Sequence, residues 1–192
     1  EAVPKGNYVF FTGAPNDRNS YYFAKGAEKY IAPLIDKGDI KVVAKEAILD
    51  WDPDNAFNLM NKAIKDNNGN IQAVIAPNDG TAGGCIRALK ENNLAGKIPV
   101  TGQDSEVLAA RRIIEGTQLM TVFKDTRILG RKAVELSLKM INNEKIDDVI
   151  KFDNGKKDID AILLPPVSVN KENLDELLVQ SGYLDRDAVY KK

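Results

Sequence analysis

Short apolar runs alternate with longer amphipathic stretches through the first two thirds of the chain. "NYVFFTG" reads as a buried strand, and residues 18 to about 37 read as a helix. "IKVVAKEAIL" predicts a second strand. The helix "PDNAFNLMNKAIKDN" follows, with Pro53 suited to its first turn. The rhythm continues with "IQAVIA" and "TAGGCIRALKENN", then "KIPVTG" and "SEVLAARRIIEG", then "QLMTVF" and "TRILGRKAVELSLKMINN". Strands and helices alternating at this spacing predict βαβ units, hence an α/β fold with a parallel sheet and right-handed crossovers. The rhythm breaks at "VIKFDNGKKDIDAILLPPVSV", where Asp153-Asn154-Gly155 marks a turn and Pro165-Pro166 stiffens the chain. That stretch predicts a strand or hairpin leading into a stiff connection. "NKENLDELLVQSGY" predicts a final helix capped by Asn170 or Asn173.

Composition narrows the chemistry. Hydrophobic residues make up 43% and charged residues 29%, the balance of a globular protein of one large or two small domains. A formal net charge of -1 offers no footprint for nucleic acid or an anionic membrane. No run approaches the length of a membrane span, and Glu1 does not begin a signal peptide. A processed chain would have lost such a segment, so its location stays open. There is no histidine, and Cys85 is the only cysteine. An internal disulfide, a zinc site of the usual kind and a Ser-His-Asp triad are thereby excluded. Cys85 lies among small residues in "TAGGCIRAL" and reads as a packed, inert thiol. No cofactor or metal site is expected.

Ligands of open parallel sheets bind beyond the carboxyl ends of the strands. The first run is followed there by Asn16, Asp17, Arg18 and Asn19, and the second by "LDWDPDN" with Trp51 between Asp50 and Asp52. The third is followed by Asn78 and Asp79, the fourth by Gln103 and Asp104, and the fifth by Lys124. Amides, carboxylates, an indole and two cations suit a neutral polyhydroxylated ligand. Ionised groups make the stronger hydrogen bonds to hydroxyls, and an indole offers an apolar face to a sugar ring. A phosphate ligand is disfavoured, because Asp79 precedes the glycines of "NDGTAGG" and the Walker and dinucleotide spacings are absent. Polar residues before a helix most often act as caps, which is the preferred reading for Asn16, Asp17 and Asp79 taken singly. For Asn78 and Asp104 capping and ligand contact both stay open. Trp51 has very polar neighbours for a packed residue, and Lys124 has Asp125 and Glu135 as alternative ion-pair partners.

The chain also resembles a family. "PLIDKGDIKVVAKEAILDWDPDNA", "IQAVIAPNDGTAGGCIRAL", "LAGKIPVTGQDSE", "GTQLMTVFKDT" and "NGKKDIDAILLPPVSV" occur in order through nearly the whole sequence. They are similar to the periplasmic sugar-binding proteins of ABC transporters, ribose/galactose type, and within them most similar to the D-xylose-binding proteins. The resemblance implies the type I periplasmic-binding-protein fold, two α/β lobes with Rossmann-like parallel sheets flanked by helices, closing on sugar by hinge motion. It implies sugar hydrogen bonds from Asn19, Asn78, Asp104 and Lys124 and ring stacking on Trp51, with Asp17 and Arg18 as weaker candidates. Arg18 departs from the family pattern, which tends to have asparagine there.

The match begins near the first crossing between lobes, so it implies that most of an amino-terminal lobe lies outside this chain. Residues 6–119 and 166–183 would form the carboxyl-terminal lobe, and residues 125–163 a helix and strand belonging to the other lobe. Residues 120–124 and 164–165 would be the crossings. The apolar positions Ile128, Ala133, Leu136 and Met140 would then need cover from the missing lobe or a second copy. The implied role is capture of a pentose, D-xylose, for the membrane permease of an ABC transporter, outside the cytoplasmic membrane. An anchor in an absent segment stays open. The alternative is a sugar-sensing domain that reports occupancy to a membrane sensor kinase. An effector domain of a transcription regulator would need a helix-turn-helix segment that is not in the sequence. A sugar enzyme built on Asp50, Asp52, Asp79 and Asp104 lacks any recognisable catalytic motif.

Overall fold

A computed structural model describes residues 3–191, which divide into two compact units. The first comprises residues 3–123 and 168–191, and the second residues 124–167.

In the first unit, β1 (Gly6–Thr12) is central, with β2 (Ile40–Ala47) on one side and β3 (Ala73–Ile75) on the other, all parallel. Tyr8, Val9, Phe10 and Phe11 of β1 are all buried, as a strand covered on both faces requires. Lys41, Lys45 and Glu46 of β2 keep that edge polar, and Lys45 pairs with Glu28 of α1 (Arg18–Asp36). The expected strand "KIPVTG" is reduced to one parallel bridge, Val74 to Val100. Its Pro99 accepts from the Val74 N–H at 3.0 Å but has no N–H of its own to extend a ladder. Beyond it, β4 (Thr121–Phe123) pairs with β7 (Val167–Val169).

One face of this sheet carries α2 (Pro53–Asp66) and α3 (Asp79–Glu91). Phe11, Ile48, Met60, Val74, Ile86 and Leu89 form the centre of its core, and each such buried side chain contributes about 1.5–3 kcal/mol. The two helices approach closely at Gly84, where a Cβ would lie 2.1 Å from the Pro53 carbonyl oxygen. The other face carries α1 over a smaller cluster of Tyr8, Ile40 and Ala73. α4 (Val107–Glu115) packs Ala110 and Ile113 against Phe123, Val169 and Leu178. The expected final helix is instead a π-helical stretch, Asp175–Gln180, preceded by a turn in which Asn173 accepts from the Asn170 N–H at 2.9 Å. A short α6 (Arg186–Tyr190), absent from the sequence reading, follows it under the cap of Asp185.

The second unit holds α5 (Thr126–Ile141) and an antiparallel hairpin of β5 (Ile150–Asp153) and β6 (Asp158–Ala161). Asp153 accepts from the Gly155 N–H at 2.7 Å to fix its turn. Leu136, Met140, Ile146 and Val149 line a groove between helix and hairpin, yet α5 has no buried residue.

Candidate functional site

The carboxyl ends of β1, β2 and β3 are in register, with Thr12 opposite Ala47 and Phe10 opposite Ile75. The turns that follow them therefore emerge along one edge of the sheet. After β1, Asp17 caps α1 by accepting from the Asn19 N–H at 2.8 Å, the role preferred from sequence. Asn19 itself is exposed on the first turn of the helix. Arg18 donates through Nε to the Tyr22 hydroxyl at 3.1 Å and lies 5.5 Å from that ring's centroid.

After β2, residues Leu49–Trp51 form a single tight turn in which Asp50 and Trp51 both have left-handed backbones, φ 55° and 56°. Such conformations cost non-glycine residues about 1–3 kcal/mol each, so packing must hold them. The indole supplies it. Trp51 meets Phe23 edge-on with centroids 6.4 Å apart, and a Cβ on Gly13 would lie 2.1 Å from its Cη2. Trp51 is thus laid across the turn after β1 and left half-buried. Its neighbour Asp52 caps α2, accepting from the Asp54 N–H at 2.7 Å.

After β3, the capping expectation shifts by one residue. Asn78, not Asp79, is the cap of α3. Its Oδ1 accepts from the Thr81 N–H at 3.0 Å and the Thr81 hydroxyl at 2.6 Å, which leaves the half-buried Nδ2 as its available donor. Asp79 is fully buried and accepts from the Gln118 amide at 2.7 Å, the Thr121 hydroxyl at 2.9 Å and the Glu106 N–H at 3.0 Å. Burial pushes its carboxyl up to about 6, against the opposing pull of these three donors. Beyond the Val100 bridge, Asp104 is exposed with φ 102°, followed by buried Ser105 with φ 56°. The Asp79 N–H donates to the Gln103 carbonyl at 2.8 Å and so ties the Asn78 and Asp104 turns together.

Lys124 directly follows β4 and is the first residue of the second unit, half-buried. Of its sequence-neighbour acids, Asp125 pairs with Arg127 and Glu135 with Lys132. The first unit therefore gathers Asn19, Trp51, Asn78 and Asp104 on one edge, with Asp17 and Arg18 engaged locally. Sequence reasoning missed Gly102, Gln118 and Thr121. The signal was weak but present: Gln118 and Thr121 are polar residues within the apolar run "QLMTVF". A groove of ≈ 280 Å³ between α1 and the sheet, lined by Phe10, Phe23, Tyr30, Ile75, Met120 and Val122, contains none of the seven candidates.

As chemistry, this edge offers hydrogen-bond donors, acceptors and one aromatic surface. Cys85 is fully buried and its thiol is pushed up to about 12 by that burial, which leaves it unreactive. Asp79 is closed to solvent, so the carboxylates that sequence offered to an enzyme do not form an open pair around it. Among the described residues no group of acidic and cysteine side chains has metal-site geometry, and no helix is long and apolar enough to cross a membrane.

The family comparison adds to this parallel sheet with its polar turns on the carboxyl edge. Residues 1–145 match the periplasmic binding protein domain, and the chain belongs to that family. It is 40% identical over 187 residues to the D-xylose-binding periplasmic protein of Haemophilus influenzae, covering 97% of this chain and 56% of that protein. The Escherichia coli K12 protein of the same name is 39% identical, covering 95% of this chain and 56% of its own length. In structure the chain is similar to an ABC transporter solute-binding protein from Clostridium phytofermentans, solved with bound β-D-glucose. The TM-score is 0.83 at 31% identity, covering 98% of this chain and 61% of that one. These solved neighbours have the type I periplasmic-binding-protein fold. The chain thus spans little more than half the length of the curated relatives it matches.

Proposed function

We propose that this chain is the larger part of a sugar-binding protein of an ABC transporter, working in the periplasm. Its first unit is the carboxyl-terminal lobe, and residues 125–163 belong to the amino-terminal lobe. The bound sugar is a monosaccharide, D-xylose first among them. Asn19 and the Nδ2 of Asn78 donate to its hydroxyls, Asp104 accepts from them, Lys124 donates from the crossing, and Trp51 stacks on the ring. The partner is the membrane permease.

The observation that carries this reading is Trp51. Its backbone is left-handed and its indole lies against Gly13 in the turn after β1, on the same edge of the sheet as Asn19 and Asn78. A hydrophobic core needs no such device, whereas a sugar ring needs a flat apolar surface ringed by polar groups. The 40% identity to a D-xylose-binding protein supports the choice of sugar.

The test joins this chain to the amino-terminal segment of a D-xylose-binding relative and titrates the product with D-xylose and D-glucose by calorimetry. Saturable binding of D-xylose with no chemical turnover is expected. Turnover, or no binding of either sugar, contradicts the reading. In the same protein, Trp51→Ala should weaken binding by about 2–4 kcal/mol, the range of a buried aromatic anchor. An unchanged affinity removes Trp51 from the site.

A further inference from the structure

We infer that Asp79, although it does not reach the edge itself, is the positioning residue of this site: its buried carboxylate holds the 103–106 turn that presents Asp104. The purpose of the turn rests on the sugar-binding reading above; what holds it is a matter of geometry alone.

The turn needs an external hold. Asp104 and Ser105 are consecutive non-glycine residues with left-handed backbones, an unfavourable pair if left to itself. The Ser105 hydroxyl is buried and makes no hydrogen bond, so it does not fix the left-handed pair. It is fixed through four successive backbone groups. The Gln103 carbonyl accepts from the Asp79 N–H at 2.8 Å, and the Asp104 N–H donates to the Val122 carbonyl at 3.0 Å. The Ser105 N–H donates to the Thr121 hydroxyl oxygen at 3.1 Å, and the Glu106 N–H donates to Asp79 Oδ2 at 3.0 Å. Thr121 sends its own proton to Asp79 Oδ2 at 2.9 Å, which turns a lone pair to Ser105. Three of the four holds therefore run through Asp79 or through a hydroxyl that Asp79 orients.

The carboxylate is itself braced. Oδ1 accepts from Gln118 Nε2 at 2.7 Å, and Arg112 Nε donates to Gln118 Oε1 at 2.9 Å. Arg112 Nη2 also donates to the Asp79 carbonyl at 2.7 Å. Gly102 leaves the room: a Cβ there would stand 2.1 Å from Asp79 Oδ1. Three donors converge on two carboxylate oxygens, an arrangement that only an acceptor on both arms satisfies. An asparagine would aim its own N–H₂ at one of those donors.

Asp79→Asn and Thr121→Val are made in this chain, and amide hydrogen exchange is followed residue by residue. In both, the amides of Ser105 and Glu106 should exchange at least about tenfold faster while those of Val9 and Leu89 keep their protection. Thr121→Ser, which retains the hydroxyl, should keep the parent's protection. Should Asp79→Asn fail to fold, the Thr121 pair carries the test. No change at the turn, or equal acceleration at every amide, overturns the inference, because the first denies the hold and the second reduces it to general stability. In the two-lobed protein, Asp79→Asn should weaken D-xylose about tenfold. Unchanged affinity there would separate the turn from the sugar and overturn the role. If the parent two-lobed protein binds no sugar, the sugar reading fails, and the exchange result still decides what holds the turn.

Discussion

Helix α3 buries eight residues, from Asp79 to Leu89, whereas α5 buries none. Both begin under a polar cap, both carry one apolar stripe, and both contain glycine in their interior. α3 packs against both the sheet and α2, with Ala82, Cys85, Ile86, Ala88 and Leu89 all closed to solvent. α5 leaves Val134, Leu138, Met140 and Ile141 at least half exposed. A helix gains most of its stability in a protein from packing its apolar face. Under the proposed function, the face of α5 packs against the rest of the amino-terminal lobe. The missing lobe of the proposed binding protein is the occupant that the relatives' extra length suggests.

Matched substitutions sharpen that contrast. The largest effect is expected in α3. Leu89→Ala should cost about 2–5 kcal/mol by denaturant unfolding, and Gly84→Ala about 3 kcal/mol, since its methyl would meet the Pro53 carbonyl at the α2–α3 contact. If either proves neutral, the packing of α3 is misjudged. Next comes acidity. Because burial raises Asp79 to about 6, the folded protein takes up this proton more readily than the unfolded chain does, although the carboxyl is ionised above that value. It contributes stability at acid pH that is lost as pH rises from about 4 to about 6, a change of about 3 kcal/mol across that window. Asp79→Asn should flatten this slope in pH-dependent unfolding, and a slope that persists in the variant would assign it elsewhere. On α5 the sign reverses. Lys132 holds exposed Glu135 below its ordinary value, so its contribution is present above that value and fades on acidification.

Smaller effects are expected on α5. Gly130 has open space around it, so Gly130→Ala should stabilise the helix by up to about 1 kcal/mol, the opposite of Gly84→Ala. Helix content by circular dichroism during thermal melting reads this directly, and a loss of stability would mean that Gly130 is already packed. Leu138→Ala should shift unfolding by less than about 0.5 kcal/mol in this chain. The same change in the two-lobed protein should cost several times more.

The alternation of strands and helices was legible because hydrophobic period reports burial, and α3 and α5 are both visible on that basis. Whether a visible apolar face is covered is not, because a stripe carries no record of its partner. The residue types at the strand ends were legible too, since the turns after parallel strands emerge along one edge of the sheet. Their local roles were less so. Asn78 and Asp79 are adjacent, yet one caps a helix and the other is buried beneath it. That division depends on Gln118 and Thr121, distant in sequence and close in space. Nor does the sequence signal the left-handed backbones of Trp51 and Asp104, because neither is glycine. Pro99, with no N–H to extend a ladder, explains why the fourth expected strand contracts to one bridge, a restraint that the apolar pattern alone does not reveal.

Under the proposed function, this chain holds only part of a sugar cleft and part of the surface that closes it. Calorimetric titration of D-xylose into the isolated, monomeric chain, and then into the chain joined to a relative's amino-terminal segment, tests it most directly. No saturable heat is expected from the chain alone, and micromolar binding once it is joined. Micromolar binding by the isolated monomer would contradict it.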